Sequence, residues 1–296
     1  MNAAITRSET IAKAAETFRA WWKDAYHVLV GAGAGLSAAA GIDYTDPADF
    51  ARTFPVLARK GFRARYQLIG YDAWPPEQQW AYWATHVNDI RFRTRTHPVY
   101  AGLRDLLKDK DTFVLTSNVD AMFERHGFDP QKIFTPQGDY AAMQCRTPCR
   151  QVVWPSQPAL EQVLRHVDQE TFTVTDPAAL PVCPNCGGEV FLNVRLDDGF
   201  VEAPYEAQEE RMHAWAAKAA KDKRGEGLLL LEFGAGFNTP TVVRWKMERL
   251  AHALPAARFI RVNRDHGEIE RLSPDRALGV TADAGAIIEA FTRVAR

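Results

Sequence analysis

Four cysteines carry the clearest chemical pattern in this chain of 296 residues. They form two close pairs, Cys145 with Cys149 and Cys183 with Cys186. Thiolates at this spacing are typical of a tetrahedral zinc site, and a shell of four sulfurs leaves no position for a substrate. The alternative is four unrelated buried cysteines. The spacing therefore predicts a structural Zn²⁺ ion rather than a catalytic one.

A glycine-rich turn at residues 31–41 follows the short apolar stretch 28–30. We expect Gly31, Gly33 and Gly35 to adopt positive φ values and to let the backbone approach a ligand closely. The amides that begin the next helix would then face an anion such as a pyrophosphate. Many tight strand-to-helix turns use glycine for packing alone, so the motif by itself leaves both interpretations open.

A second polar segment, residues 116–120, ends another predicted strand and contains Ser117, Asn118 and Asp120. Open α/β sheets place their ligand crevice at the carboxyl ends of the strands. The simpler interpretation is that Asn118 or Asp120 caps the following helix. The segment therefore predicts either a ligand contact or a helix start.

The elements that must position these residues alternate along the chain. Apolar segments predict strands at 27–30, 112–116, 132–134, 228–233 and 258–263. Helical segments of 10 to 15 residues between them favour an α/β fold with a Rossmann-like, doubly wound parallel sheet. We predict that 1–142 and 196–296 form this domain, with 46–95 as a small helical module and 143–195 as an inserted zinc-ribbon module.

Composition narrows the classes of partner. The formal net charge is −1, which gives no general attraction to nucleic acid or to a membrane surface. No apolar run approaches the roughly 20 residues that span a bilayer, and the N-terminal residues do not resemble a signal peptide. We expect a cytoplasmic protein with neither a nucleic acid nor a membrane as partner.

Five ordered motifs are similar to those of the sirtuins. Residues 33–44, GAGLSAAAGIDY, resemble the sirtuin signature loop, and 116–120 resemble the Thr-Gln-Asn-Ile-Asp motif with Ser117 replacing glutamine. The two cysteine pairs, the segment FGAGFNTP at 233–240 and the segment RVNRD at 261–265 follow in the sirtuin order. The resemblance extends from about Val28 to the C-terminus.

This resemblance implies that NAD is a co-substrate and assigns roles to residues. Asn118 would face the nicotinamide ribose and a water, and Asp120 would hold the nicotinamide carboxamide. The implied NAD-binding residues are Gly33, Ala34, Gly35, Ser37, Gly41, Tyr44, Ser117, Asn118, Asp120, Gly234, Ala235, Gly236, Asn263 and Arg264.

The position of the catalytic histidine departs from the sirtuin pattern. Deacylating sirtuins have a His-Gly pair after the strand that resembles 132–136, and this chain has Gln137 and Gly138 there. Deacylation needs a base to deprotonate a ribose hydroxyl, and glutamine cannot accept that proton. His126, followed by Gly127, is an alternative base, although its position suits the end of a helix.

Arg195 is a second departure, because it falls where an apolar residue lines the acyl-lysine tunnel of deacylases. It is either a solvated arginine at a strand edge or a cation near the reacting ribose. Through Gln137, the extended glycine loop and the substrate loop that contains Arg195, the chain resembles the class M, macrodomain-linked sirtuins, which are protein ADP-ribosyltransferases. That resemblance implies catalytic roles for Asn118, Gln137 and Arg195, a lipoylated glycine-cleavage H-like carrier as acceptor, and a macrodomain hydrolase as partner.

The expected function is therefore NAD-dependent protein mono-ADP-ribosylation with release of nicotinamide. Two alternatives stay open. One is an NAD-dependent protein-lysine deacylase that uses an unusual base such as His126. The other is a catalytically silent sensor of NAD or ADP-ribose.

Overall fold

The computed structural model describes residues 7–222 and 227–295. The first six residues of the predicted Rossmann-like domain lie outside this part. The α-helices are α1 (Arg7–Asp24), α2 (Ala34–Ala39), α3 (Pro47–Thr53), α4 (Pro55–Arg59), α5 (Pro76–Val87), α6 (Pro98–Leu107), α7 (Met122–Arg125), α8 (Gln157–Arg165), α9 (Ala203–Ala219), α10 (Arg244–Ala253) and α11 (Ala284–Ala295). Shorter helical segments are Arg65–Leu68, Asn88–Phe92, Pro130–Lys132 and Pro177–Ala179.

The strands are β1 (His27–Ala32), β2 (Asp111–Thr116), β3 (Ile133–Phe134), β4 (Gly138–Cys145), β5 (Trp154–Pro155), β6 (Val167–Asp168), β7 (Thr173–Val174), β8 (Val190–Val194), β9 (Leu228–Phe233), β10 (Arg258–Asn263) and β11 (Ala277–Thr281). No helix among the described residues is both long and apolar enough to span a membrane.

Six parallel strands form the main sheet, in the order β11-β10-β9-β1-β2-β3. The chain first adds β2 and β3 on one side of β1, and later adds β9, β10 and β11 on the other side. Right-handed crossovers in opposite directions place the connecting helices on opposite faces, so the sheet is doubly wound. The predicted fold class is confirmed.

The central strands form the core of this sheet. Every residue of β1 and of β9 is buried, as expected for parallel strands that are covered on both faces. On one side of the sheet, α1, α6 and α11 pack together, and the rings of Phe18 and Phe291 stack with their centroids 3.9 Å apart.

The described chain forms two compact units. The first contains the residues up to Gly41, Thr96–Gln137 and the residues from Tyr205 onward, and it holds the six-stranded sheet. The second contains Ile42–Arg95 and Gly138–Pro204. The sequence prediction had placed the helical segment 46–95 with the Rossmann-like domain, whereas here that segment shares a unit with the cysteine module.

Aromatic packing explains why the helical segment and the cysteine module form one unit. Trp80 and Trp83 of α5 lie 6.4 Å and 5.1 Å from the ring of Phe191 in β8. β8 pairs antiparallel with β4, and β5 completes this smaller sheet. The short helices expected in 46–95 are present as α3, α4 and α5.

Candidate functional site

Two loops meet where the strand order of the main sheet reverses. Gly33 follows β1 and Gly234 follows β9, and these two strands are neighbours. The Gly33 amide donates to the Phe233 carbonyl at 3.0 Å, and the Gly35 amide donates to the Gly234 carbonyl at 3.0 Å. Doubly wound sheets bind ligands at this switch point, outside the carboxyl ends of the strands.

Close approach of these loops, rather than an unusual backbone angle, explains the glycines. The expectation of positive φ at Gly31, Gly33 and Gly35 is wrong, since none of the three has a positive φ. A Cβ on Gly33 would lie 2.7 Å from the Ala235 Cα, and a Cβ on Gly35 would lie 2.7 Å from the Gly234 Cα. Any side chain would therefore separate the two loops.

Asp120 is a buried acidic group beside the glycine loop, with 4% of its surface exposed. One carboxylate oxygen accepts the Ser37 hydroxyl proton at 2.5 Å, and the other accepts the Met122 amide at 3.0 Å. The Asp120 side chain therefore bonds the first amide of α7, but the N-cap of that helix is Ala121 rather than the predicted Asn118 or Asp120, because Ala121 is the residue that precedes the first helical one. The bond to Ser37 additionally joins Asp120 to the glycine loop.

Asn118 also contacts the glycine loop. Its side-chain amide donates to the Gly33 carbonyl at 3.0 Å, and its backbone amide donates to the Thr116 hydroxyl at 3.1 Å. The Ser117 amide donates to the Ala32 carbonyl at 3.0 Å. The structure thus brings Gly33, Ser37, Asn118 and Asp120 together, and their role in NAD binding stays a prediction.

Asn263 organises the opposite side of the switch point. Its side-chain amide donates to the Ala235 carbonyl at 3.0 Å, and its side-chain oxygen accepts the amides of Asp265 and His266 at 3.0 Å. Arg264 is exposed and pairs with Asp265 at 3.3 Å. Asn263 therefore fixes the turn after β10 against the loop after β9.

A charged network under these loops was missed by the sequence analysis. Glu232 in β9 and Arg261 in β10 are fully buried and form a two-point ion pair at 2.5 Å and 3.0 Å. Arg244 donates to the carbonyls of Ala235 and His266 at 3.3 Å and 2.9 Å. A glutamate within the otherwise apolar strand 228–233 was a usable signal, because a buried charge requires a partner.

Gln137 lies half-buried in the turn that follows β3, at the carboxyl edge of the main sheet. Tyr44 and Arg195 belong to the second unit. The Tyr44 ring meets the His86 ring edge-on, with centroids 5.1 Å apart. The Arg195 guanidinium lies 4.5 Å from the Phe200 ring and bonds the Glu202 carboxylate at 2.5 Å. The catalytic roles of Gln137 and Arg195 stay predictions.

Both ring nitrogens of His126 have structural partners. Its Nε2 accepts the His97 amide at 2.8 Å, and its Nδ1 faces the Met122 carbonyl at 2.6 Å. A backbone amide can only donate and a carbonyl can only accept, so the neutral ring with its proton on Nδ1 satisfies both. Gly127 then ends the helix with φ +77°. His126 is therefore a helix-end residue rather than a poised base.

The four cysteines form a cluster that fits a zinc ion. Cys145 is the last residue of β4 and is the register partner of Val190, the first residue of β8. All four Sγ atoms lie within 4.8 Å of one another. The pairs Cys145–Cys186 and Cys149–Cys183 have Sγ–Sγ distances of 3.8 Å and 3.7 Å. Zn–S bonds of about 2.3 Å in a tetrahedron separate the sulfurs by about 3.8 Å. The described cysteines are free thiols, and their geometry suits a closed, structural site.

Comparison with solved structures identifies the fold. The chain is similar to a Sir2 homologue in complex with NAD, with a TM-score of 0.56, 18% identity, and coverage of 96% of this chain and 93% of that one. A further Sir2 enzyme structure matches with a TM-score of 0.57, 20% identity, and coverage of 97% and 98%. No family model matches the chain.

Two curated proteins are similar in sequence. A probable bifunctional ADP-ribose hydrolase/ADP-ribosyltransferase of Fusarium oxysporum f. sp. cubense is 39% identical over 236 residues, which are 78% of this chain but 39% of the length of that protein. A protein ADP-ribosyltransferase of Staphylococcus aureus (strain Mu50) is 27% identical over 290 residues, covering 95% of this chain and 88% of that protein. The chain therefore has the Sir2 (sirtuin) fold, and its sequence relatives include proteins named as ADP-ribosyltransferases.

Proposed function

We propose that this protein is an NAD-dependent protein mono-ADP-ribosyltransferase of the sirtuin type. The observation that carries the proposal is Gln137, which stands where deacylating sirtuins have a histidine. An amide can hydrogen-bond a ribose hydroxyl but cannot remove its proton. His126 does not replace that base, because both of its ring nitrogens are engaged by the backbone.

In the proposed reaction, the bond between C1′ of the ribose and nicotinamide breaks, and its electron pair leaves with nicotinamide. A nucleophilic atom of the acceptor forms the new bond to C1′ and loses its proton to solvent. Asp120 holds the nicotinamide carboxamide, Asn118 faces the ribose, and the loops at Gly33 and Gly234 hold the phosphates and the adenosine ribose. Gln137 and Arg195 shape the acceptor side of the ribose.

The named activities of the sequence relatives support transfer rather than deacylation. The Fusarium relative is named for hydrolysis of ADP-ribose as well, which favours a partner hydrolase of the macrodomain type for this chain. A lipoylated glycine-cleavage H-like carrier is the proposed acceptor, on the class M resemblance alone. A cytoplasmic location is part of the same proposal.

Incubation with NAD labelled in its adenylate half tests the proposal. We expect nicotinamide release and label on a lipoylated carrier protein, detected by intact mass spectrometry. Asn118→Ala should lower both by about 100-fold or more, since it removes a group that faces the reacting ribose. Asn88→Ala, in the second unit, serves as the matched control. Cleavage of acyl-lysine peptides without any label transfer would contradict the proposal.

A further inference from the structure

Tyr100 is a fully buried side chain that none of the sequence motifs includes. It lies in α6, with none of its surface exposed. Its hydroxyl oxygen is 3.2 Å from the Ser37 Oγ. A phenol hydroxyl that is buried without water needs protein partners, and those of Tyr100 belong to the candidate NAD site.

The direction of the hydrogen bonds follows from counting protons. Ser37 has one hydroxyl proton, which it donates to the Asp120 carboxylate at 2.5 Å. Its oxygen can then only accept in the contact with Tyr100, so the Tyr100 hydroxyl is the donor. The three groups form a relay that runs from Tyr100 through Ser37 to Asp120.

The Tyr100 hydroxyl keeps its proton in this relay. Burial first, and then the Asp120 charge, raise the pKa of Tyr100 well above its ordinary value. The donating proton therefore stays in place at neutral pH.

Packing holds the Tyr100 ring in one orientation. The ring stacks on His126 with centroids 5.3 Å apart and planes 24° apart, and it meets Phe123 edge-on at 5.1 Å. His126 is itself held at both nitrogens. The hydroxyl thus has a defined position beside Ser37.

We propose that Tyr100 is a positioning residue that, through Ser37, orients Asp120 toward the nicotinamide-ribose half of NAD. This inference rests on the proposed function, which assigns that half of NAD to Asn118 and Asp120. It predicts that loss of the single hydroxyl weakens recognition of the nicotinamide half while leaving the ADP-ribose half unaffected.

Calorimetric binding of two ligands to Tyr100→Phe tests the inference. The first is carba-NAD, in which a methylene replaces the ribose ring oxygen so that nicotinamide is not released, and the second is ADP-ribose. We expect the Kd for carba-NAD to rise about 10-fold, the order of one buried hydrogen bond, and the Kd for ADP-ribose to change less than about 2-fold. Tyr82→Phe is the matched control, because Tyr82 is equally buried and donates to the Arg65 carbonyl in the second unit.

Each outcome decides the inference. Equal loss of affinity for both ligands would overturn it, since a general folding defect weakens both. Unchanged affinity for both ligands would overturn it as well. If the wild-type protein binds neither ligand, the proposed function fails together with the inference. Should Tyr100→Phe not fold, Ser37→Ala interrupts the same relay and should show the same selective loss. In an Asp120→Asn background, Tyr100→Phe should have less effect on carba-NAD than in the wild type.

Discussion

Ala121 is the residue with the most unusual backbone in the candidate site. It separates Asp120 from α7 and has φ +56° and ψ +32°, in the left-handed region. This conformation costs a residue with a Cβ about 1–2 kcal/mol. It lets the Asp120 carboxylate turn back to accept the Met122 amide while facing Ser37. The backbone strain is therefore confined to Ala121, the residue after Asp120, which is proposed to hold the nicotinamide carboxamide.

Ala121→Gly should raise the free energy of unfolding by about 0.5–1 kcal/mol. Removal of the Cβ relieves the left-handed strain, and the greater freedom of glycine in the unfolded chain offsets part of the gain. Urea denaturation measures the difference. Ala214→Gly, at an exposed position in the interior of α9, should instead destabilise by about 1 kcal/mol. A destabilised Ala121→Gly variant would show that the left-handed conformation is not strained.

At the scale of elements, the loops after β1 and β9 must touch for the candidate site to exist. β1 and β9 pair in register along their whole length, so both strands end at the same level. Gly33 and Gly234 follow immediately, and the amide-carbonyl bonds between the loops use backbone atoms only. The site geometry therefore depends on the absence of side chains at this crossing.

Gly33→Ala should destabilise the protein by about 1–3 kcal/mol, the usual cost of overpacking, and should weaken ADP-ribose binding. Its Cβ would lie 2.7 Å from backbone atoms of Gly234 and Ala235. Gly236→Ala is the matched control for stability, because no atom lies within 4 Å of its Cβ, and its effect should stay within about 0.5 kcal/mol. Denaturation and calorimetry together measure both effects. Equal stability of the two variants would argue against the crowding.

Pairing of the strands β4 and β8 brings the cysteines of the predicted metal centre together. Cys145 and Val190 are register partners, and just before β8 the Gly187 amide donates to the Cys183 carbonyl at 2.8 Å, which closes a tight turn. The second unit therefore depends on four sulfurs that come from two distant parts of the chain. Without a cation, four thiolates at these distances would repel one another.

We expect one zinc ion per chain by elemental mass spectrometry. Removal of the metal with a strong chelator should lower the unfolding temperature of the second unit, since structural zinc contributes about 10 kcal/mol to small modules. Cys149→Ser should lower the zinc content, whereas Val182→Ala, an exposed position beside Cys183, should leave it at one. Full zinc content in Cys149→Ser would contradict the predicted ligand set.

At the scale of the whole molecule, the two edges of the main sheet have different roles. The carboxyl edge carries the candidate site, and the amino edge carries a charge cluster. His27 of β1 lies between Asp111 and Asp222, at 2.8 Å and 3.1 Å. Asp111 also binds Lys132 at 2.6 Å and accepts the Trp215 indole proton at 2.9 Å. This cluster joins β1, β2 and the residues around α9 far from the proposed chemistry.

The stability of the fold should fall in acid through Asp111. Burial acts to raise its pKa, but the bonds from Lys132, Trp215 and His27 outweigh that effect and lower the pKa below the usual 3.8. A carboxylate with a lowered folded pKa contributes stability above its unfolded pKa and loses that contribution as the pH falls through the folded value. Asp111→Asn should therefore be less stable than the wild type at pH 7, with a difference that shrinks below about pH 4.

Urea denaturation from pH 2 to pH 7 measures this difference. The exposed Asp105→Asn serves as the control and should follow the wild-type curve. If the free energy of unfolding of Asp111→Asn differed from that of the wild type by the same amount at every pH, ionisation of Asp111 would not be the cause of the difference.

Local patterns predicted much of this molecule. The apolar runs of β1, β2, β9 and β10, the helices between them and the cysteine spacing all reflect short-range chemistry, and the structure confirms the elements. β4, β8 and β11 were not predicted as strands, because their residues do not form long apolar runs and their pairing comes from distant parts of the chain. A helical segment before the strand at 112–116 was expected, but the chemical role of Tyr100 within it was not.

The sequence by itself determined the doubly wound sheet, the four-cysteine cluster and the segments that meet at the switch point. Hydrophobic periodicity and ligand spacing depend only on residues that are close together in the sequence. Only the tertiary structure decided what the glycines do, since their crowding comes from a loop 200 residues away. It also decided that His126 serves a helix end and that Tyr100 meets Ser37. Those outcomes depend on contacts across the fold, which no local pattern encodes.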